Sequence, residues 1–181
     1  MDRPHRRRSP RLRDYDYTQP GAYFITICAK DRDCVFGHVM DGSMHLNKVG
    51  QIVQEEWLGT AFIRREIDLD EFILMPNHVH GIVVIKDDAV GATGRSPLQA
   101  HSMPRSGPAP RSLGSFVAGF KAGSTKRINQ HRETPGVPVW RRNYYEHVVR
   151  DEEDLRRIQK YIANNPLAWE TDKENPDCAR R

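Results

Sequence analysis

From Phe72 to Ile85 the chain reads FILMPNHVHGIVVI, a run so apolar that it must lie inside a folded protein, yet it carries a proline and two histidines at i and i+2. Pro76 removes a ladder donor and bends the chain. The run therefore divides into two strands, over 68–74 and 78–85, joined around Met75-Pro76-Asn77. Alternation along a strand sends residues i and i+2 to one face, so His78 and His80 project together from a rigid element. Neutral imidazole is a common ligand of divalent metals, and the pair is a candidate metal clamp that still needs a third protein ligand. Two structural histidines would show the same spacing.

The remaining elements follow from pattern. Residues 22–28, AYFITIC, are β-branched and aromatic and sit between Pro20-Gly21 and Lys30-Asp31-Arg32-Asp33, which predicts a strand. Residues 35–40 and 44–46 flank the turn sequence Asp41-Gly42-Ser43 and predict a hairpin. Asn47 can cap a helix over about 48–65, with Val49, Ile52, Val53, Trp57, Phe62 and Ile63 as its apolar stripe. Ser112 can cap a second, over about 113–130, built on Leu113, Phe116, Val117, Phe120 and Ile128. Residues 137–149 read as extended. Asp151-Glu152-Glu153-Asp154 provides an N-cap and negative charge for a last helix to about Asn164, ahead of Pro166. This order predicts an α+β sandwich with helices packed on one face of an antiparallel sheet. A length of 181 residues suits one domain, over 14–167, between a basic N-terminal tail (1–13) and a polar C-terminal tail (168–181). A Pro/Gly-rich stretch at 87–110 predicts a flexible loop insertion.

Lys and Arg number 28 against 24 Asp and Glu, a net charge of +4, and the excess is clustered. Arg6, Arg7 and Arg8 belong to the N-terminal tail, and Lys121, Lys126, Arg127, Arg141 and Arg142 follow the middle of the chain. Such clustering suits a polyanionic partner. The lysines and arginine after Ser112 are candidates for phosphate contacts, which position nucleic acid without reading its sequence. Three cysteines without Cys-x-x-Cys spacing argue against a disulfide framework or a zinc knuckle. No apolar run has the length of a membrane span and no secretory signal is visible, so the expected setting is the reduced cytoplasm, in association with the nucleoid.

Tyr161 and Asn165 lie four residues apart and so share one helix face. A phenol with a pKa near 10 is a nucleophile at neutral pH only when a cation, a hydrogen bond or a base activates it. Beside a divalent ion that also polarises a phosphodiester, Tyr161 could attack phosphorus in line and take the 5′ phosphate as phosphotyrosine. A tyrosine at the edge of a core is the plainer alternative. Tyr144 and Tyr145, adjacent to Arg141 and Arg142, are rival nucleophiles, and His147 is a candidate phosphate contact or partner of a ligand.

Met-Pro-Asn-His-Val-His-Gly-Ile-Val at 75–83 resembles the HUH motif of the single-tyrosine transposases, and Tyr-Ile-Ala-Asn-Asn-Pro at 161–166 resembles their nucleophile helix. Asp14-Tyr15-Asp16-Tyr17 with the strand at 21–28, and His147-Val148-Val149-Arg150-Asp151-Glu152-Glu153-Asp154-Leu155, are similar to the REP-associated tyrosine transposase branch. The resemblance runs in order from about residue 11 to 167. It implies a ferredoxin-like fold that cleaves single-stranded, hairpin-bearing DNA with Mg²⁺ or Mn²⁺. By position it makes His78 and His80 metal ligands, Tyr161 the catalytic nucleophile and Asn165 the polar ligand one turn on. Such a protein would work as a monomer or a homodimer. The rival classes are a non-catalytic DNA- or RNA-binding module of the same fold and a metal-dependent hydrolase with Glu71 as its base.

Overall fold

The computed structural model describes residues 15–87 and 108–176. Arg6, Arg7, Arg8 and nearly all of the expected loop insertion lie outside the described residues. Strand β1 (Gly21–Cys28) is followed by the hairpin β2 (Gly37–Met40) and β3 (Ser43–Leu46), helix α1 (Lys48–Ile63), strands β4 (Ile67–Leu74) and β5 (His78–Ile85), helix α2 (Leu113–Arg132), strand β6 (Tyr145–Val148) and helix α3 (Glu152–Asn164). The main sheet has the order β4-β5-β1-β6, with every neighbouring pair antiparallel. Leaving out the separate β2–β3 hairpin, the path from β1 to β6 is β-α-β-β-α-β with β1 and β5 central, which is the ferredoxin-like arrangement.

Each helix begins where a side chain satisfies its free N–H groups. The Asn47 side chain accepts from the Gly50 amide at 2.9 Å, Ser112 and Ser115 form a reciprocal capping box, and Asp151 accepts from the Asp154 amide at 2.8 Å. Alternation along the central strands divides the interior in two. Tyr23, Ile25 and Ile27 of β1 and Val79, Val83 and Ile85 of β5 join α1 and α2 in the larger core, around Trp57, Phe116 and Phe120. Gly81 faces the same side, and a Cβ there would fall 2.3 Å from the Trp57 ring. The absent side chain is what lets the indole lie against β5.

The fold class is as expected, but the helices do not all share one face. Helix α3 covers the other side of the sheet, where Ile158 and Ile162 pack on Phe24 and Ile82. The physical reason is parity: β1 and β5 are central and apolar on both faces, so both need covering, and α1 with α2 already fills one. The C-terminal segment packs back on the sheet side of the fold through Glu174, which meets Asn77 and Arg32. Residues expected as a polar tail are folded as far as Pro176, through a 3₁₀ turn at Trp169–Thr171. Asn175 is buried and its side-chain amide donates to the Trp169 carbonyl at 2.9 Å.

Candidate active site

His78 and His80 occupy the positions of β5 that face α3, with ring centroids 4.4 Å apart. Both are buried, at 0% and 2% exposure. In each ring the Nδ1 atom is held by a neighbour: His80 Nδ1 lies 2.8 Å from Thr26 Oγ1, directly across the ladder on β1, and His78 Nδ1 lies 2.8 Å from Asn77 Oδ1. The Asn77 amide nitrogen donates to the carbonyls of Arg32 and Glu174, at 2.9 and 2.7 Å, so its oxygen is left to accept from His78. Nδ1 of His78 then carries the proton and Nε2 has a lone pair to give. That Nε2 is buried without a hydrogen-bond partner. Burial pushes the pKa of His78 down to about 4, against the opposing pull of the Asp172 and Glu174 carboxylates, and burial followed by the His78 charge puts His80 well below its ordinary value. Two neutral imidazoles turned this way have the chemistry of metal ligands.

Helix α3 brings Tyr161 to the pair. Its hydroxyl lies 3.3 Å from His80 Nε2, its ring packs edge-on against Phe24 at 6.0 Å between centroids, and 43% of the residue is exposed. Burial and then the Asp172 charge raise the phenol's pKa, against a hydrogen bond to Asn165, so the protein alone keeps it protonated. Asn165, the residue after α3, continues the helical conformation and is 2% exposed. Its Nδ2 donates to Asp172 Oδ2 at 3.2 Å, and its Oδ1 is buried without a partner. An orphaned amide oxygen beside an orphaned imidazole nitrogen is a donor set that a divalent cation fits.

Asp172 is a member of the site that the sequence does not announce. One ligand atom each of His78, His80 and Asp172 lies within 4.8 Å of the other two, although strand β5 and Asp172 are far apart along the chain. The 3₁₀ turn after α3 folds the carboxylate back, with Trp169 6.1 Å from the His78 ring. No spacing rule encodes such a contact.

The site opens into a cleft of about 1120 Å³ whose walls include His80, Tyr161, Arg141, Arg142, Arg157 and Lys173. Arg141 and Arg142 thus stand on the wall of the cleft beside Tyr161, and Arg157 and Lys173 join them unforeseen. The basic residues of α2 are placed otherwise. Lys121 is spent on the carbonyls of Arg141, Arg142 and Asn143, at 2.8, 3.4 and 3.1 Å, and burial lowers its pKa to about 8. Arg127 is paired with Glu55 and Glu56 of α1, on the face away from the histidines, and Lys126 is exposed nearby on the same helix. Sequence reasoning could count these charges but not see their partners. Tyr144 and Tyr145 line the cleft, Tyr145 6.3 Å from Phe24, while the hydroxyl against the imidazole is that of Tyr161. His147 Nε2 is 2.7 Å from Asp154, tying β6 to α3. Glu71 is exposed at the irregularity in β4 between Leu69 and Phe72 and does not line the cleft. Cys28, opposite His78 in the ladder, has its thiol pushed up to about 12 by burial and by Glu174 and supplies no thiolate.

No family model matches the chain. A Haemophilus influenzae protein described as uncharacterized is 43% identical over 171 residues, 93% of each of the two chains. Among solved structures, a REP-associated tyrosine transposase bound to a REP hairpin superposes with a TM-score of 0.58 at 17% identity, over 87% of this chain and 72% of its own.

Proposed function

This chain belongs to one family with the Haemophilus influenzae protein and has the fold of the REP-associated tyrosine transposase, and from that premise we propose that it is a metal-dependent endonuclease and strand transferase acting on single-stranded, hairpin-bearing DNA. The observation that carries the reading is the Tyr161 hydroxyl 3.3 Å from His80 Nε2, on the wall of a cleft that also bears Arg141, Arg142 and Arg157. A strand and a helix far apart in sequence converge to place a phenol, two neutral imidazoles and a row of cations together. A core-edge tyrosine would need none of these neighbours.

His78, His80 and Asn165 would hold Mg²⁺ or Mn²⁺, which supplies a lowered phenol pKa and a polarised phosphodiester. Arg141 and Arg142 draw the DNA backbone along the cleft and orient one phosphate toward Tyr161. The phenol gives up its proton to solvent water at its exposed edge and its oxygen attacks phosphorus. The new P–O bond to Tyr161 forms as the bond to the 3′ oxygen breaks, the electron pair leaves on that oxygen, and it takes a proton. The 5′ phosphate remains on Tyr161, and attack by a 3′ hydroxyl reverses the step to join a strand. Phe24, packed on both the Tyr161 and His80 rings, keeps the phenol in place against the imidazole.

The test is covalent capture. Incubated with Mn²⁺ and an end-labelled hairpin with a single-stranded flank, the wild-type chain is expected to give an adduct that survives a denaturing gel, and Tyr161→Phe and His78→Ala none. DNA binding by the wild type without any adduct would instead favour the non-catalytic module. An adduct retained by Tyr161→Phe would move the nucleophile elsewhere, with Tyr145 next in the cleft.

A further inference from the structure

We infer that Asp172 is a direct ligand of the cation in this centre, the anionic anchor beside His78, His80 and Asn165, and that the Asn165 side chain also holds it in place. The inference rests on the proposed function, in which His78 and His80 hold a divalent ion.

Distance favours the assignment. Ligand atoms of His78, His80 and Asp172 lie within 4.8 Å of one another, and donors around one ion at 2.0–2.2 Å stand roughly 3–4 Å apart. Closing the set asks for side-chain adjustments of less than about 1 Å on the same scale. Orientation favours it too. Asp172 Oδ1 accepts the Glu174 backbone N–H at 2.6 Å and Oδ2 accepts Asn165 Nδ2 at 3.2 Å. Each oxygen is fixed from behind by a donor and keeps lone pairs free, as an outer shell does for a ligating carboxylate. In the same cluster lies the fully buried His78, whose Nε2 has no partner. An imidazole nitrogen with a free lone pair and an oriented carboxylate have no use for each other, because neither donates; a cation between them satisfies both.

The position of Asp172 is built into the fold. It directly follows the 3₁₀ turn at Trp169–Thr171, which is closed by the Asn175 side chain on the Trp169 carbonyl and rests against His78 through Trp169. Glu174, two residues on, is held by Arg32 at 3.1 Å. With Nδ2 of Asn165 turned to Asp172, that residue aims the carboxylate. Two imidazole nitrogens and one carboxylate oxygen also define the ion class. Mg²⁺ prefers an all-oxygen shell and gives up water reluctantly, whereas Mn²⁺ accepts nitrogen more readily, so the site should hold Mn²⁺ more tightly than Mg²⁺.

Mn²⁺ binding to the full chain, without DNA, tests this through the electron paramagnetic resonance signal of free Mn²⁺. Asp172→Asn is expected to weaken binding by more than about tenfold, and Asp172→Glu, which keeps the anion, by less, while Asn165→Ala falls between the wild type and Asp172→Asn, because it removes a neutral ligand and leaves the anion. Mg²⁺ should displace Mn²⁺ only in large excess. Asp172→Asn binding within twofold of wild type overturns the inference while leaving the histidine site standing. So does an equal loss in Asp172→Asn and Asp172→Glu, which marks a structural role. Full binding by His78→Ala overturns the underlying reading instead.

Discussion

At the scale of single residues, what matters is which atom of each imidazole is spoken for. Thr26 holds Nδ1 of His80 from the neighbouring strand and Asn77 holds Nδ1 of His78 from the turn, so both Nε2 atoms are directed toward α3. Outer-shell partners of ligating histidines typically contribute 10–100-fold in metal affinity. Thr26→Val, close to isosteric and on a strand where valine is at home, is therefore expected to weaken Mn²⁺ binding by about that factor, measured by isothermal titration, while leaving secondary structure intact by circular dichroism. His78, His80, Tyr161 and Asn165 are readable from sequence because strand and helix periodicities alone put each pair on one face. Thr26 becomes readable only once the register of β1 against β5 is known. Asp172 is not readable, because a 3₁₀ turn has no periodic signature and its long-range contact is made by polar groups.

At the scale of elements, the starts of α1, α2 and α3 are legible because Asn47, Ser112 and Asp151 are cap residues set before apolar stripes, and β5 because Pro76 and Asn77 end one strand just before the next begins. An amphipathic stripe says that a helix buries one face, not which side of a sheet it chooses. Hence the pattern does not show that α3 takes the other layer, and it counts the cations of α2 without the partners that Lys121 and Arg127 have. Lys121 instead pins the Arg141–Asn143 backbone, and Arg127 joins α2 to α1. DNA affinity should sort accordingly. Arg142→Ala is expected to weaken single-strand binding and to reduce the slope of log affinity against log salt by about 0.7, the value of one phosphate contact on a single strand. Lys126→Ala should change neither. Fluorescence anisotropy over a salt series reads both, and an equal effect of the two substitutions would remove the cleft from the binding path.

At the scale of the whole molecule, the sheet is a two-sided platform with unequal layers. The α1/α2 side holds the large apolar core, including Trp57, Phe116 and Phe120, whereas α3 buries only Ile158 and Ile162 against Phe24 and Ile82. Polar ties supplement that thin layer: Gln159 donates to Asp70 at 2.7 Å, and Asp154 accepts from His147, from the Arg150 amide and from Arg157. The hydrogen bond from His147, with further help from Arg157 and the Arg150 amide, depresses the Asp154 carboxyl to about 2 from an ordinary 3.8. A carboxylate depressed in the folded state adds stability above its unfolded pKa and loses it as pH falls toward the folded one. The wild-type chain should therefore lose stability between about pH 4 and pH 2 more steeply than Asp154→Asn, as read from thermal midpoints across that range. Parallel curves would show that the tie carries no pH-dependent stability.

The lightness of that layer bears on where a cut strand would go in the proposed reaction. Tyr161 sits on a helix that the sheet grips lightly, by two buried side chains and a few polar ties, and in the proposed reaction its oxygen would also moor the severed 5′ end. A mooring on a firmly embedded helix would leave the cut end beside its former neighbour. On a lightly held one, the strand end would have a leash, and in the proposed reaction the helix could carry its cargo away from one 3′ terminus and back toward another.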